Sequence, residues 1–243
     1  VTLTFWGNVR RLLREELRRI GFGYLWQIVM MVYFAFFISL MARTMNSTEH
    51  SDYVLSNIML DFMLMVSIGM MGFAFSRDYM KYWKNNRLSS KLKFYRSLPI
   101  STEEIVVSRL LTLIVTTIYS GIIYFASFYL ISTEIRSAMQ GWGYIGFALA
   151  WIGYSFTVGS FFIYVELGFK EKTYFWISCG AVPVFMAVPV ILWLLDVHAV
   201  QSSIRIVKEY GVLLPAIALT VGVASLLIGK RIAVDKLNRR NMT

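Results

Sequence analysis

Few residues in this chain have the chemistry to act on anything, and most of them stand alone. Asp61 is the one residue of a charged type well inside a long apolar block. A single carboxylate makes neither a proton relay, a metal site nor a protease dyad. It is expected to pair with a neighbouring helix, to sit protonated, or to touch a hydrated cavity, because hydrocarbon tolerates charge poorly. Arg109 and Glu166 stand at the ends of apolar blocks, where such side chains snorkel or pair. His50 and His198 lie outside the blocks, with no HExxH motif and no Cys/His cluster, so a zinc site is not expected. No serine occupies a GxSxG elbow. The run GVASLLIGK at 222–230 fails as a phosphate-binding loop: Ala224 stands where its first glycine is required, and Arg231 where Ser or Thr is required. The single cysteine, Cys179, lies between Ser178 and Gly180 in an apolar block and reads as a small packing residue.

The densest local signal is FYRSLPISTEEIVVSRLLT at 94–112. Pro99 cannot continue a helix and biases Leu98 to an extended backbone. Ser101-Thr102-Glu103-Glu104 then reads as a capping box, with Ser101 at the N-cap and Glu104 three residues into the helix. The two acids suit the positive end of the helix dipole. A helix therefore starts abruptly at residue 101, leaving a short, rigid, polar knob before it.

The elements that must position these residues are apolar and long. Hydrophobic residues make up 57% of the 243 and charged ones only 16%, against about a quarter in soluble domains. The apolar residues collect in six blocks, at about 22–42, 53–75, 105–131, 142–165, 174–195 and 211–229. Each is long enough to cross a hydrocarbon core of about 30 Å. The expected fold is an all-α integral membrane protein with six transmembrane helices. Pro183 and Pro189 make a kink plausible in the fifth. Residues 1–21 predict an amphipathic interfacial helix, with Phe5, Trp6, Val9, Leu12, Leu13, Leu17 and Ile20 on one face and Arg10, Arg11, Arg14, Glu15, Arg18 and Arg19 on the other. This segment lacks the long apolar core of a cleavable signal, so the first span is expected to direct its own insertion.

The basic residues between blocks are lopsided. Nineteen Lys/Arg fall in 1–21, 76–104, 166–173 and 230–243, whereas the alternate connections hold only Arg43, Arg136, Arg205 and Lys208. The positive-inside rule then puts both termini in the cytoplasm, and explains a net charge of +10 without invoking nucleic acid. Small residues recur at four-residue spacing in Ser155/Gly159, Ala218/Gly222 and Ser225/Gly229, which permits close helix contact. No repeat or Gly/Ser linker divides the chain. The expected layout is a 1–21 elbow helix, a 22–229 membrane domain with a cytoplasmic loop at 76–104, and a basic tail at 230–243.

The SLPISTEEIVVSRLL run resembles the loop between the second and third spans of type-two ABC (ATP-binding cassette) exporter permeases, and the amphipathic start and six-block layout resemble that family too. The resemblance implies a short cytoplasmic coupling helix between spans two and three, with Leu98, Pro99, Ser101, Glu103 and Glu104 against an ATPase subunit and Arg96 and Arg109 flanking it. It implies a permease without its own motor, paired with a second copy or a related permease. ATP and Mg would reside on separate cytoplasmic ATPase subunits, and this chain would need no cofactor of its own. The basic loop residues Arg77, Lys81, Lys84, Arg87, Lys91 and Lys93 would meet an acidic ATPase rim or anionic lipid. Spans rich in aromatics and methionine suggest a hydrophobic or amphipathic cargo, such as a peptide, lipid or drug-like molecule. A stand-alone ion-coupled carrier, a membrane-embedded enzyme and a non-transporting scaffold or sensor are the rival readings. Family members with bulky outer domains differ from this chain, which has only 196–210 at the corresponding place. There Ile204, Val207 and Tyr210 offer a small amphipathic turn.

Overall fold

The chain folds, in a computed structural model, into a helical bundle whose described residues are 4–43, 50–73, 90, 92, 94, 95 and 98–239. Helix α1 spans Phe5–Ile20, α2 Gly23–Arg43, α3 His50–Gly69 and α4 Thr102–Ile131. Helices α5 (Thr133–Ala138), α6 (Trp142–Gly168), α7 (Glu171–Leu194), α8 (Ala199–Tyr210) and α9 (Leu213–Arg239) follow. No strand occurs among the described residues.

Five helices, α2, α4, α6, α7 and α9, are long and apolar enough to cross a membrane, which fits a multi-pass membrane protein. The block at 53–75 behaves differently. Its helix ends at Gly69 and its apolar stretch is Val54–Gly69, about 24 Å at 1.5 Å per residue. The chain turns through Met70–Gly72 because it abuts α4 there. A Cβ on Gly72 would stand 2.9 Å from Leu113 Cγ, and the Gly72 carbonyl accepts a hydrogen bond from Thr116 Oγ1 at 2.8 Å.

Two other boundaries move outward. Helix α4 begins at the predicted cap and runs 30 residues, about 45 Å, without a break. Helix α9 continues ten residues past the apolar block, to Arg239, because Ala233 and Leu237 stay buried and Lys236 Nζ sits 4.8 Å over the Phe169 ring. Most of the segment expected as a basic tail is thus the end of a packed helix. Helix α7 runs through both Pro183 and Pro189.

The tightest seam lies between α6 and α9. Ala218 backbone atoms leave no room for a Cβ on Gly153, the Gly153 carbonyl crowds Gly222, and Ser160 Oγ crowds Gly229. Ser160 Oγ also donates to the Ser225 carbonyl at 2.7 Å. On α9 these are the expected pairs Ala218/Gly222 and Ser225/Gly229, but on α6 the contact is made by Gly153 and Ser160 instead of Ser155/Gly159; small side chains on both sides let the two backbones approach. Gly159 faces the other way and accepts Leu113 of α4.

The interior forms two clusters. One holds Leu60, Leu64, Phe128, Ile135, Phe147, Val200 and Ile204. The other holds Leu12, Leu92, Tyr95, Ile105, Leu110, Ile163, Leu167 and Leu237. Helix α7 contributes little to either, and its buried residues are only Glu171 and Pro189. Cys179 is exposed on its outer side, so it is not the interior packing residue its neighbours suggested. An apolar helix looks alike in sequence whether it faces protein or lipid.

Candidate functional site

The second cluster is topped by a network of polar side chains gathered from four helices. Its base is the start of α4. Ser101 Oγ accepts from Glu104 N–H at 3.2 Å, and Glu104 Oε2 accepts from Ser101 N–H at 2.7 Å, completing the predicted capping box. The same glutamate reaches beyond its own helix, because Glu104 Oε1 accepts from Asn8 Nδ2 of α1 at 3.0 Å. Glu104 is consequently buried. Its neighbour Glu103 is half exposed and meets Lys230 Nζ of α9 at 2.6 Å.

Two turns further along α4, Arg109 joins two buried carboxylates. Its Nε and Nη2 donate to Glu166 Oε2 of α6 at 3.2 and 3.0 Å, and its Nη1 donates to Glu16 Oε2 of α1 at 3.3 Å. Thr112 Oγ1 lies 3.2 Å from the same Glu16 oxygen. A guanidinium suits this place because its planar fork presents donors in two directions at once. The side chains are 16%, 8% and 5% exposed for Arg109, Glu16 and Glu166, so the triad is screened from solvent. It locks α1, α4 and α6 together, while Glu103–Lys230 adds α9.

Helix α1 reaches this network with an unexpected face. Val9, Leu12 and Ile20 pack inward as the periodicity predicts, but Glu16 is buried with them. Spacing alone assigned Glu16 to neither face. The available signal was its position four residues from both Leu12 and Ile20, which places it on the apolar side.

In front of the network, the chain presents an apolar tip. Phe94 is 58% and Leu98 37% exposed, and Pro99 and Ser101 are exposed too. Leu92 and Tyr95, beside them, are buried and anchor the tip. Arg96, and the basic loop residues Arg77, Lys81, Lys84, Arg87, Lys91 and Lys93, lie outside the described residues.

Asp61 belongs to the first cluster, away from this network. Its Oδ2 accepts from Ala199 N–H at 2.7 Å and its Oδ1 from Val200 N–H at 2.9 Å. These are the first two amides of α8, which lack partners within their own helix. Asp61, only 2% exposed, therefore caps a helix from across the bundle, and its charge faces the positive end of that helix. Gln201 Nε2 donates to Asn57 Oδ1 one turn away, at 3.0 Å. Both oxygens of Asp61 are engaged in holding α8, whose Val200, Ile204 and Val207 are buried beneath it.

No protein-family model matches the chain, and neither a curated protein nor a solved structure is similar enough to it to count as a match.

Proposed function

We propose that this chain is the permease subunit of an ATP-binding cassette exporter, powered by separate cytoplasmic ATPase subunits. The observation that carries the reading is the apolar tip at Phe94, Leu98 and Pro99, exposed yet seated on a fully braced helix start. An exposed apolar tip on a rigid mount suits docking of a partner protein. In this reading Leu98, Pro99, Ser101 and Glu103 face the ATPase with Arg96 beside them, Glu104 stiffens the contact from behind, and Arg109, buried in its triad, braces the helix instead of flanking the contact.

The reading takes His50–Gly69 as the sixth crossing, α1 as the elbow helix, and both termini as cytoplasmic in a prokaryotic plasma membrane. A second copy or a related permease completes the pathway for a hydrophobic or amphipathic cargo. Closure of the ATPases on ATP pushes the tip. Because α4 is continuous from the cap to Ile131, the push enters the bundle along one rod, and the Arg109 triad shares it with α1 and α6. ATP and cargo then bias the same two-state bundle.

The test is co-expression with candidate ATPase subunits of the same genome, followed by purification and assay of ATP hydrolysis. Leu98→Asp is expected to abolish the complex while leaving thermal unfolding of the permease unchanged. Failure of the folded protein to form a complex with any candidate refutes the assignment.

A further inference from the structure

Helix α1 has a second polar feature that neither the triad nor ATPase docking uses. Arg10, Arg14 and Arg18 recur every four residues and are exposed in one row. Together with Leu13 and Leu17, which are partly buried, they form a shallow open groove along the outward side of this one helix. Among the described residues, none of the three arginines forms an ion pair, whereas Val9, Leu12, Glu16 and Ile20 on the inward face are buried.

We propose that this groove binds anionic phospholipid, with phosphate on the arginine row and acyl chain against Leu13, Leu17 and the exposed Trp6. Three features select a lipid over a free anion or an acidic protein. The first is height. Only Gly21 and Phe22 separate α1 from α2, an apolar helix long enough to cross the bilayer, so the groove sits where headgroups lie. The second is the groove's composition, since leucines beside guanidiniums match a molecule that is anionic at one end and apolar at the other. The third is the apolar rim: Trp6, Phe22, Leu25 and Trp26 are each more than half exposed, as interfacial anchors are. Guanidiniums bind phosphate through paired donors, and the row spans about 12 Å, room for more than one phosphate oxygen cluster. This inference rests on the apolar helices lying in a bilayer and is independent of ATPase docking.

The experiment titrates short-chain phosphatidylglycerol, and phosphatidylcholine separately, onto the full chain in detergent, with bound lipid counted by native mass spectrometry. Phosphatidylglycerol is expected to bind preferentially. Each arginine near an anionic lipid is worth about fivefold in affinity, so Arg10→Gln/Arg14→Gln/Arg18→Gln should weaken binding by about a hundredfold. The control Arg11→Gln/Arg19→Gln, on the adjoining row, should change it by less than the loss of one row arginine. If the triple variant does not fold, Arg14→Gln alone should still lose about fivefold. Equal binding of the two lipids, displacement of phosphatidylglycerol by inorganic phosphate, or an unaltered triple variant each overturns the proposal. So does a triple variant that keeps phosphatidylglycerol but loses a co-purifying protein, because the row would then serve that protein.

Discussion

At the Asp61 end of the bundle one buried carboxylate is held by two backbone amides, whereas at the Arg109 end two buried carboxylates are held by one guanidinium. The first arrangement fixes a single short helix, α8, onto α3 and leaves little to rearrange. The second joins three helices through a side chain that carries five donors and a flexible stem. A hub of that kind can change partners, and it lies about two turns along α4 from the cap that follows the exposed tip at Leu98. In the proposed permease, the first end would anchor and the second would transmit.

Substitutions can break each end separately. The largest effect is expected from Arg109→Met, which strands Glu16 and Glu166 without their common partner; the cost is about 3–5 kcal/mol, read as a fall in thermal stability in detergent. Asp61→Leu comes next, at about 2–3 kcal/mol, because it exposes two α8 amides to an apolar surrounding without acceptors. Hydrogen exchange should show that loss confined to α8, whereas Arg109→Met should loosen α1, α4 and α6 together. Arg109→Lys is expected to cost about 1–2 kcal/mol, since an ammonium cannot present the fork to both acids. The smallest effect belongs to Glu103→Gln, below about 1 kcal/mol, because its contact with Lys230 is half exposed. If Arg109→Lys proved as damaging as Arg109→Met, charge alone would not explain the triad.

What was legible in the sequence was local. The cap at Ser101 and Glu104 is written within four residues, and the α9 side of the α6–α9 seam shows as small residues at fixed spacing, whereas its α6 side, Gly153 and Ser160, lies off the Ser155/Gly159 spacing. The hub was not legible, because Glu16 and Arg109 are 93 positions apart and Glu166 a further 57 beyond Arg109. The partner of Asp61 is harder still, as it is a helix start 138 positions away, with no side-chain code. Glu104 was read as a surface residue of the tip, and its link to Asn8 shows that the cap also faces inward. Length of an apolar block proved a poor guide to where a helix stops, as Gly69 and Arg239 show, because contacts with α4 and Phe169 decide those ends.

The most direct measurement labels single cysteines, in a Cys179→Ala background, with a membrane-impermeant thiol reagent. One cysteine replaces Leu98 at the tip, and another replaces the exposed Arg136 of α5, near the Asp61 end. In intact cells Arg136→Cys should react and Leu98→Cys should not. In inside-out vesicles Leu98→Cys should react, and co-expression of the matching ATPase subunit should protect it. Labelling of Leu98→Cys from outside the cell, or reactivity indifferent to every ATPase offered, would contradict the account.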